Sequence, residues 1–461
     1  MMDLKAILLS CTYMLPPRLI HLRGCYNAVH SFYKEAQWWP MERIEKWQLE
    51  RLKMIVSFAY ENTEGYRQLY DEANVTPNDI QSLEDIQLLP FTTKKLLRDN
   101  IKDFTYRSAE TKGLYASTTG GSTGIPFKFY VDRKNAEAEY GFMHNAWESI
   151  GWKESDYGIR LRGTHLGDEN HLMKKIGYHL YALSSSFLTE ENYEKYMNMI
   201  VQSKATYLHV YPSTIADLSH LMIKHHDEGR LEIKHIFLGS ENLYSWQKEL
   251  VKTAFPESHL MSWYGHSERA VWAPWCESEQ RYHLNPFYGL TEILNDDQEV
   301  KEGQVGELVG TAFWMFGTPF IRYRTNDFAE KGPDHCEKCG RQFQLLNYVD
   351  GRASEIIISR TGRRISLTVF AGSIMHGHTF EHISQFRFIQ HEAGKLQLAI
   401  IPTADYGEAD ENHLQQSVKT FLGDDFVFEI VKVKELSKTK SGKFTYLEQH
   451  LKVDRADNIN Y

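Results

Sequence analysis

The sequence predicts an α/β protein in which a large N-terminal domain, residues 1–350, precedes a small C-terminal α+β domain, residues 351–461. Helical patterns alternate with short β-rich runs in the middle of the chain, as in NAEAEYGFMHNAWESIGW and IKHIFLGS. Near residue 350 this alternation gives way to closely spaced strands. A chain of 461 residues is also long enough for about two to four domains.

The large domain contains a predicted amphipathic helix, Met41–Asn62. Its apolar residues recur at close to helical spacing, namely at Ile44, Trp47, Met54, Ile55 and Phe58. The helices and strands that follow are typical of α/β architecture, which places ligand-binding loops at the ends of strands. We therefore expect functional residues in such loops.

The small domain is predicted from consecutive segments of the chain. VDGRASEIIISRTGRRIS indicates a turn, a strand and a hairpin, and KLQLAIIP indicates a strand. ENHLQQSVKTFLG has a helical pattern, whereas FVFEIVKV alternates apolar residues at Phe426, Phe428 and Ile430. The polar stretch VDRADNINY is expected to fray.

Composition excludes several classes of protein. Hydrophobic residues make up 42% and charged residues 25%, with a net charge of −9, so a nucleic-acid partner is not expected. No run of about 18 apolar residues occurs, so no membrane span is expected. MMDLKAILLSCTYMLPPRLI lacks the features of a signal peptide, and five scattered cysteines do not form a disulfide framework. We expect a cytoplasmic protein.

The stretch STTGGSTGIP combines small hydroxyl residues with glycines. Glycine lets the backbone turn its N–H groups inward and hydroxyls add donors, so the stretch suits a phosphate. It is not the nucleotide P-loop, because Gly124 is followed by Ile125 instead of lysine. A flexible linker is the alternative on this stretch alone. The candidate phosphate-binding residues are Ser117, Thr118, Thr119, Gly120, Gly121, Ser122, Thr123 and Gly124.

Four further segments favour a nucleotide over a linker. They are WYGHSE with Glu268, IRYRTNDF with Asp327, DGRASEII with Arg352 and SKTKSGKF with Lys443. A nucleoside triphosphate needs donors for its phosphates, a carboxylate for Mg²⁺, a carboxylate for the ribose hydroxyls and a cation for developing charge. Each kind of group occurs in this set.

In this order the segments resemble the adenylate-forming (acyl-CoA synthetase-like) superfamily, and within it the phenylacetate–CoA ligase and CapK-like family. The similarity extends from about Trp47 to Phe444. It implies ATP as the nucleotide and an aromatic near adenine, followed by a glutamate that helps to hold Mg²⁺. That motif is matched by Tyr264, Gly265, His266, Ser267 and Glu268. The turn that borders the adenine is matched by Gly239, Ser240 and Glu241.

The resemblance also assigns the remaining segments. It implies that Asp327 binds the ribose hydroxyls, that Arg352 reaches the nucleotide, and that Lys443 contacts the carboxylate and the α-phosphate during adenylation. The small domain would rotate between two half-reactions about a hinge at its start. Two positions depart from the pattern. Asn326 stands where glycine is common, although asparagine tolerates left-handed backbone, and Ser354 stands where the family usually has an aspartate at the hinge.

The cysteines predict a metal site. Cys336 and Cys339 form a C-x-x-C, and Cys276 and His283 precede it, which together make a Cys₃His set suited to structural Zn²⁺. Some phenylacetate–CoA ligase-like proteins resemble this arrangement. A redox dithiol and unrelated buried cysteines are the alternatives, and His335 is a rival fourth ligand.

The resemblance implies ATP-dependent activation of a small-molecule carboxylic acid as an acyl-adenylate, with release of pyrophosphate. Coenzyme A is the favoured acceptor. One alternative is a CapK-like enzyme of capsular polysaccharide biosynthesis that transfers the acyl group to an amine or a hydroxyl. A second is a non-catalytic nucleotide-binding scaffold. Tyr211, in VYPST, is the candidate contact for the acid. The acid, the acceptor and the oligomeric state stay open.

Overall fold

The structure is a computed structural model that describes residues 24–106, 114–119, 127–162, 172–352, 356–374, 382–438 and 443–451. The α-helices of these ranges are α1 (Gly24–Ala36), α2 (Met41–Asn62), α3 (Glu64–Glu72), α4 (Lys94–Asp99), α5 (Arg133–Glu148), α6 (Tyr193–Ser203), α7 (Pro212–Lys224), α8 (Ser245–Ala254), α9 (Leu367–Ile374) and α10 (Glu408–Leu422). None of the helices described is both long and apolar enough to cross a membrane.

The strands of the described ranges are numbered in chain order. They are β1 (Thr92–Thr93), β2 (Tyr115–Thr118), β3 (Lys128–Val131), β4 (Gly158–Arg162), β5 (Met173–Gly177), β6 (Leu180–Ser184), β7 (Tyr207–Val210), β8 (His235–Leu238), β9 (His259–Gly265), β10 (Trp272–Cys276), β11 (Arg281–His283), β12 (Gly289–Asn295), β13 (Gln298–Glu299), β14 (Val305–Ala312), β15 (Tyr323–Lys331), β16 (Leu345–Arg352), β17 (Ile356–Ile358), β18 (Arg364–Ser366), β19 (Ile383–Glu392), β20 (Lys395–Pro402), β21 (Val427–Lys432) and β22 (Leu447–Gln449).

Contacts between residues divide the chain into two compact units. The first contains Lys153–Ser262 together with the chain from Asp350 onward, and the second contains Trp263–Val349 together with the preceding chain up to Trp152. The first unit therefore combines the predicted C-terminal domain with part of the predicted large domain. The division into domains 1–350 and 351–461 stays a prediction.

The first unit contains a mainly parallel sheet in the order β5–β6–β4–β7–β8–β9. Strands β6, β4, β7, β8 and β9 run parallel, and β5 is an antiparallel edge strand. Helices α6, α7 and α8 cover one face, where their apolar side chains bury residues such as Leu161, Leu208 and Ile236. Because parallel strands end at the same edge, the carboxyl ends of β4, β7 and β8 lie side by side.

The same unit contains the smaller sheet β21–β20–β19–β22 and the hairpin β17–β18. Helices α9 and α10 pack against this sheet through Phe370, Leu414 and Val418, which meet Phe388 and Leu398. The predicted strands KLQLAIIP and FVFEIVKV and the predicted helix between them are confirmed as β20, β21 and α10.

The second unit contains the order β13–β12–β14–β15–β16–β11–β10 and the separate hairpin β2–β3. Helix α2 spans the predicted residues and buries Ile44 and Ile55 among others. Met54, which was expected on the apolar face, is 37% exposed. Thr63 ends α2 and begins α3, where its hydroxyl accepts a hydrogen bond from the Tyr66 N–H.

Candidate functional site

The predicted phosphate loop joins two paired strands. Ser117 and Thr118 end β2 and lie opposite Phe129 and Lys128 of β3. The N–H of the buried Thr119 donates to the carbonyl of Phe127 at 3.0 Å. Gly120, Gly121, Ser122, Thr123 and Gly124 lie outside the described residues. Both ends of the loop are therefore fixed in one hairpin, and its contact with phosphate stays a prediction.

Glu268 is a buried carboxylate in the turn between β9 and β10. Its Oε2 lies 3.2 Å from Nδ1 of His266, and its Oε1 accepts a hydrogen bond from the Tyr323 hydroxyl at 3.0 Å. Burial raises the pKa of Glu268, but the hydrogen bond and charge of His266 outweigh burial and lower it to about 2. The carboxylate is thus held in its ionised form, which is the form that binds Mg²⁺.

Asp327 is a buried carboxylate on β15. Its Oδ2 accepts a hydrogen bond from the Tyr264 hydroxyl at 2.8 Å. The preceding residue, Asn326, has a φ of +61°, and its N–H donates to Oε1 of Glu307 at 3.1 Å. The prediction that asparagine can replace glycine here in left-handed backbone is confirmed.

The two arginines that precede Asp327 are bound to other carboxylates. Arg322 is buried and donates through Nε and Nη2 to Glu292, with a shortest distance of 2.8 Å. Arg324 donates to Glu307 at 2.7 Å. Both arginines have structural ion pairs in the sheet, whereas the hydrogen bond found for the Asp327 carboxylate comes from a tyrosine.

In the first unit, Lys443 lies next to two other predicted site residues. Its Nζ is 5.8 Å from the centroid of the Tyr211 ring. The N–H of the following residue, Phe444, donates to Oε1 of Glu241 at 3.1 Å, and the Ser213 N–H donates to Oε2 at 2.9 Å. Burial raises the pKa of Glu241, although these N–H groups and Lys443 oppose the increase. Glu241 therefore fixes the backbone directly after Lys443.

The remaining predicted residues occupy turns and strand ends. Gly239 directly follows β8, Ser240 has a φ of +72°, and Arg352 is the last residue of β16. Gly265 ends β9, and His266, Ser267 and Glu268 occupy the turn that follows. Ser354 lies outside the described residues, as do Lys440–Gly442, which directly precede Lys443. The roles of these residues toward a nucleotide stay predictions.

Cys276, His283, Cys336 and Cys339 converge in the second unit. Their ligand atoms all lie within 4.8 Å of one another. Cys276 and His283 end the paired strands β10 and β11, and the two other thiols come from one tight turn. Sγ of Cys276 is 4.0 Å from Sγ of Cys336, and Sγ of Cys339 is 3.5 Å from Nε2 of His283. The group contains His283 and not its rival His335.

These four residues fit a tetrahedral metal ion. Bonds of about 2.3 Å from zinc to sulfur place two sulfur ligands about 3.7 Å apart, close to the 4.0 Å between Cys276 and Cys336. Gly340, with a φ of +80°, donates its N–H to the Cys336 carbonyl and closes the turn. The pKa of the Cys339 thiol is lowered because Cys276 and His283 hydrogen bond to its thiolate, the form that binds zinc.

Sequence reasoning gave no role to Tyr323, Arg162 or His209. Tyr323 opens the YRTND segment, and its hydroxyl reaches Glu268 only through the pairing of distant strands. Arg162 ends β4, and its Nη2 lies 2.5 Å from Nε2 of His209. A charged residue at the end of a parallel strand is the signal that could have indicated Arg162.

Comparison with known proteins gives consistent matches along the chain. Residues 357–450 match the family described as CapK C-terminal domain. A phenylacetate-coenzyme A ligase of Thermus thermophilus is 28% identical over 71% of this chain and 75% of its own length. Protein CapK of Staphylococcus aureus is 19% identical over 88% of this chain and 89% of its own. A solved 2-hydroxyisobutyryl-CoA ligase, 18% identical, has a TM-score of 0.74 over 90% of this chain and 91% of its own.

The fold is therefore that of the adenylate-forming CoA ligases. Within that class, the chain is similar to phenylacetate-coenzyme A ligases and to protein CapK, and its residues 357–450 match the CapK C-terminal domain.

Proposed function

We propose that this protein is an ATP-dependent ligase that activates a carboxylic acid as an acyl-adenylate, releases pyrophosphate, and then transfers the acyl group to coenzyme A. The observation that carries the proposal is the pair of buried carboxylates, Glu268 and Asp327. Each is held by the tyrosine of the other's motif. Adenylate formation needs one carboxylate near the phosphates and another at the ribose.

The chemistry requires two anions to meet, since a carboxylate oxygen attacks the α-phosphorus of ATP. Lys443 supplies a positive charge for that encounter, and Glu241 holds the backbone that carries it. Asp327 would accept hydrogen bonds from the ribose hydroxyls. Glu268 would hold Mg²⁺, which neutralises phosphate charge when bound.

Two further assignments belong to the proposal. Cys276, His283, Cys336 and Cys339 would hold a structural Zn²⁺, which has no open position for chemistry when four protein ligands surround it. ATP and coenzyme A are intracellular substrates, which supports a cytoplasmic location.

The test is pyrophosphate exchange in the presence of an accepted acid. Lys443→Ala should slow exchange by about a hundred- to a thousandfold, the effect of removing one preorganised charge from a transition state, while ATP binding persists. The matched control is Lys434→Ala, because Lys434 is an exposed lysine shortly before Lys443 in the sequence. This variant should catalyse pyrophosphate exchange at the wild-type rate. Normal exchange in Lys443→Ala would refute the role of this lysine.

An amine or a hydroxyl is kept as the second candidate acceptor, because the chain is also similar to protein CapK and its residues 357–450 match the CapK C-terminal domain. The acyl-adenylate should be formed by the enzyme from ATP and an accepted acid, and coenzyme A, a simple amine or a sugar hydroxyl should then be added in parallel reactions. Consumption with coenzyme A alone supports the ligase. Consumption with only an amine or a hydroxyl supports the second candidate, and a failure of exchange with every acid supports a non-catalytic scaffold.

A further inference from the structure

Arg162 occupies the polar face of the parallel sheet beside the predicted acid-binding residue Tyr211. The register of β4 and β7 places Arg160 opposite His209. Since alternate residues of a strand share a face, Arg162 lies on that face too. The other face is the apolar core beneath the helices, formed in these two strands by Ile159, Leu161, Leu208 and Val210.

Arg162 makes two contacts at the ends of these strands. Its Nη2 lies 2.5 Å from Nε2 of His209, and its guanidinium carbon lies 4.7 Å from the centroid of the Tyr211 ring. Lys443 approaches the same ring, with Nζ at 5.8 Å. The ring of Tyr211 is therefore approached both by the lysine that would meet the reacting carboxylate and by a second, partly buried cation.

The groups around Arg162 do not balance its charge. Burial, together with the charges of Arg162 and Arg160, lowers the pKa of His209 well below its ordinary value, so His209 is neutral and accepts from the guanidinium. Glu241 is the carboxylate whose charge reaches Arg162, but its oxygens already accept two backbone N–H groups.

Arg162 also retains donors for a ligand. A guanidinium has five N–H groups, of which one donates to His209 and another to the Tyr211 side chain. Its Nε is buried and finds no hydrogen-bond partner in the part of the chain that the structure describes. A carboxylate is the natural complement of such a group, because guanidinium and carboxylate pair through two parallel hydrogen bonds.

We propose that the acid activated by this protein carries a second carboxylate, which Arg162 binds. The inference rests on the proposed function and specifies its substrate class. The first carboxylate forms the bond to the α-phosphorus as the bond from that phosphorus to pyrophosphate breaks. The second carboxylate stays ionised and unreacted, and the distance between Arg162 and Lys443, which both approach Tyr211, would select the spacing between the two carboxylates.

Matched pairs of acids test this substrate class. Succinate, glutarate and terephthalate are each compared with the monoamide that replaces one carboxylate by a neutral group of the same shape, with phenylacetate as a further neutral acid. In pyrophosphate exchange, the wild-type protein should have a kcat/KM for at least one diacid that exceeds that of its monoamide on the order of a hundredfold, because the amide leaves a buried charge unpaired.

Variants then identify the residue responsible. Arg162→Leu should remove the preference by lowering exchange with the diacid on the order of a hundredfold, with the monoamide little changed. Arg162→Lys should keep part of it, because the charge remains while the paired geometry is lost. Arg160→Leu, on the same strand and face, is the control and should keep the preference. ATP binding by each variant establishes that it is folded.

Three outcomes would overturn the inference. A wild-type preference for phenylacetate or the monoamides would exclude this substrate class while leaving the proposed function intact. An equal loss of exchange activity with the diacid and with the monoamide in Arg162→Leu would indicate that Arg162 has a structural role. Exchange with no acid of any class would contradict the proposed function and this inference with it.

Discussion

The hydroxyl of Tyr264 lies 2.8 Å from Oδ2 of Asp327. The reverse contact joins the same two motifs, since Tyr323, four positions before Asp327, donates to Glu268 at 3.0 Å. Each motif therefore supplies the carboxylate that the proposed chemistry needs and also the tyrosine that orients the other motif's carboxylate. Tyr264 lies near the end of β9 and Glu268 follows that strand, whereas Tyr323 and Asp327 both lie on β15. The positions of these two strands therefore set the distance between the two motifs.

We predict that Tyr264→Phe weakens ATP binding more than it slows turnover. Loss of a hydrogen bond to an ionised group is worth about 1.5–3 kcal/mol, so the KM for ATP should rise about tenfold or more. Steady-state kinetics at a saturating concentration of an accepted acid measure this change. Tyr288→Phe is the control, because Tyr288 is also buried and lies 3.4 Å from the carboxylate of Glu139 outside both motifs. An unchanged KM for ATP in Tyr264→Phe would contradict this role of the tyrosine.

Glu241 provides a prediction that separates the two half-reactions. Glutamine at this position retains one carbonyl oxygen, so it can accept from either Ser213 or Phe444 but not from both. Glu241→Gln should loosen the backbone that carries Lys443 and slow acyl-adenylate formation about ten- to a hundredfold. Thioester formation from preformed acyl-adenylate should be unchanged, because the proposed role of Lys443 is confined to acyl-adenylate formation.

Rapid-quench measurement of each half-reaction checks the prediction for Glu241. Glu249→Gln, an exposed acid on α8 in the same unit, should leave both rates as in the wild-type protein. Equal slowing of both half-reactions would indicate a general structural defect instead of a positioning role.

The elements predicted best are those whose signal is local. Helix α2 was found because its apolar residues repeat at helical spacing over many turns, and β20 and β21 were found from alternation. Met54 was misplaced because spacing alone does not say where the edge of a buried stripe lies. The grouping of Cys276, His283, Cys336 and Cys339 was predicted from residue type and spacing, and their ligand atoms converge; zinc binding stays a prediction.

The contacts that could not be predicted join distant segments. Each motif's tyrosine donates a hydrogen bond to the other motif's carboxylate, and these two contacts depend on the register of strands that are far apart in the sequence. The same is true of Arg322, whose buried partner Glu292 lies on β12. Arg322 and Glu292 lie 30 positions apart in the sequence, and pairing across a sheet is not visible there.

The cysteine cluster predicts one zinc ion per chain. Metal analysis of protein purified without chelator should give a ratio near one, and Cys276→Ser should lower both the zinc content and the melting temperature, because binding to a preformed structural site stabilises the folded state. Cys25→Ser is the control, since Cys25 lies outside the cluster. A clearly substoichiometric zinc content, or an unchanged melting temperature after removal of bound zinc, would contradict a structural role.

The hydrogen bond between Asp410 and His382 predicts a pH dependence of stability. Both oxygens of Asp410 lie 3.0 Å from Nδ1 of His382, and Oδ2 also accepts the Gly407 N–H at 2.9 Å, at the start of α10. Burial raises the pKa of Asp410, but the Gly407 N–H and His382 outweigh it and lower the pKa below its ordinary value. An aspartate with a lowered pKa in the folded state contributes stability above its unfolded pKa of about 3.9, and that contribution is lost as the pH falls through the folded value.

Asp410→Asn should therefore unfold at a lower urea concentration than the wild-type protein at pH 7, and the difference should shrink as the pH falls below about 4. Comparing the two proteins at each pH removes the titration of the other carboxylates, which is common to both. Glu408→Gln removes a charge from the same first turn of α10 and should give a smaller difference at pH 7, because no hydrogen bond to the helix N-terminus is lost. If the difference between Asp410→Asn and the wild-type protein were the same at pH 3 and pH 7, the ionised carboxylate would not be the source of the stability.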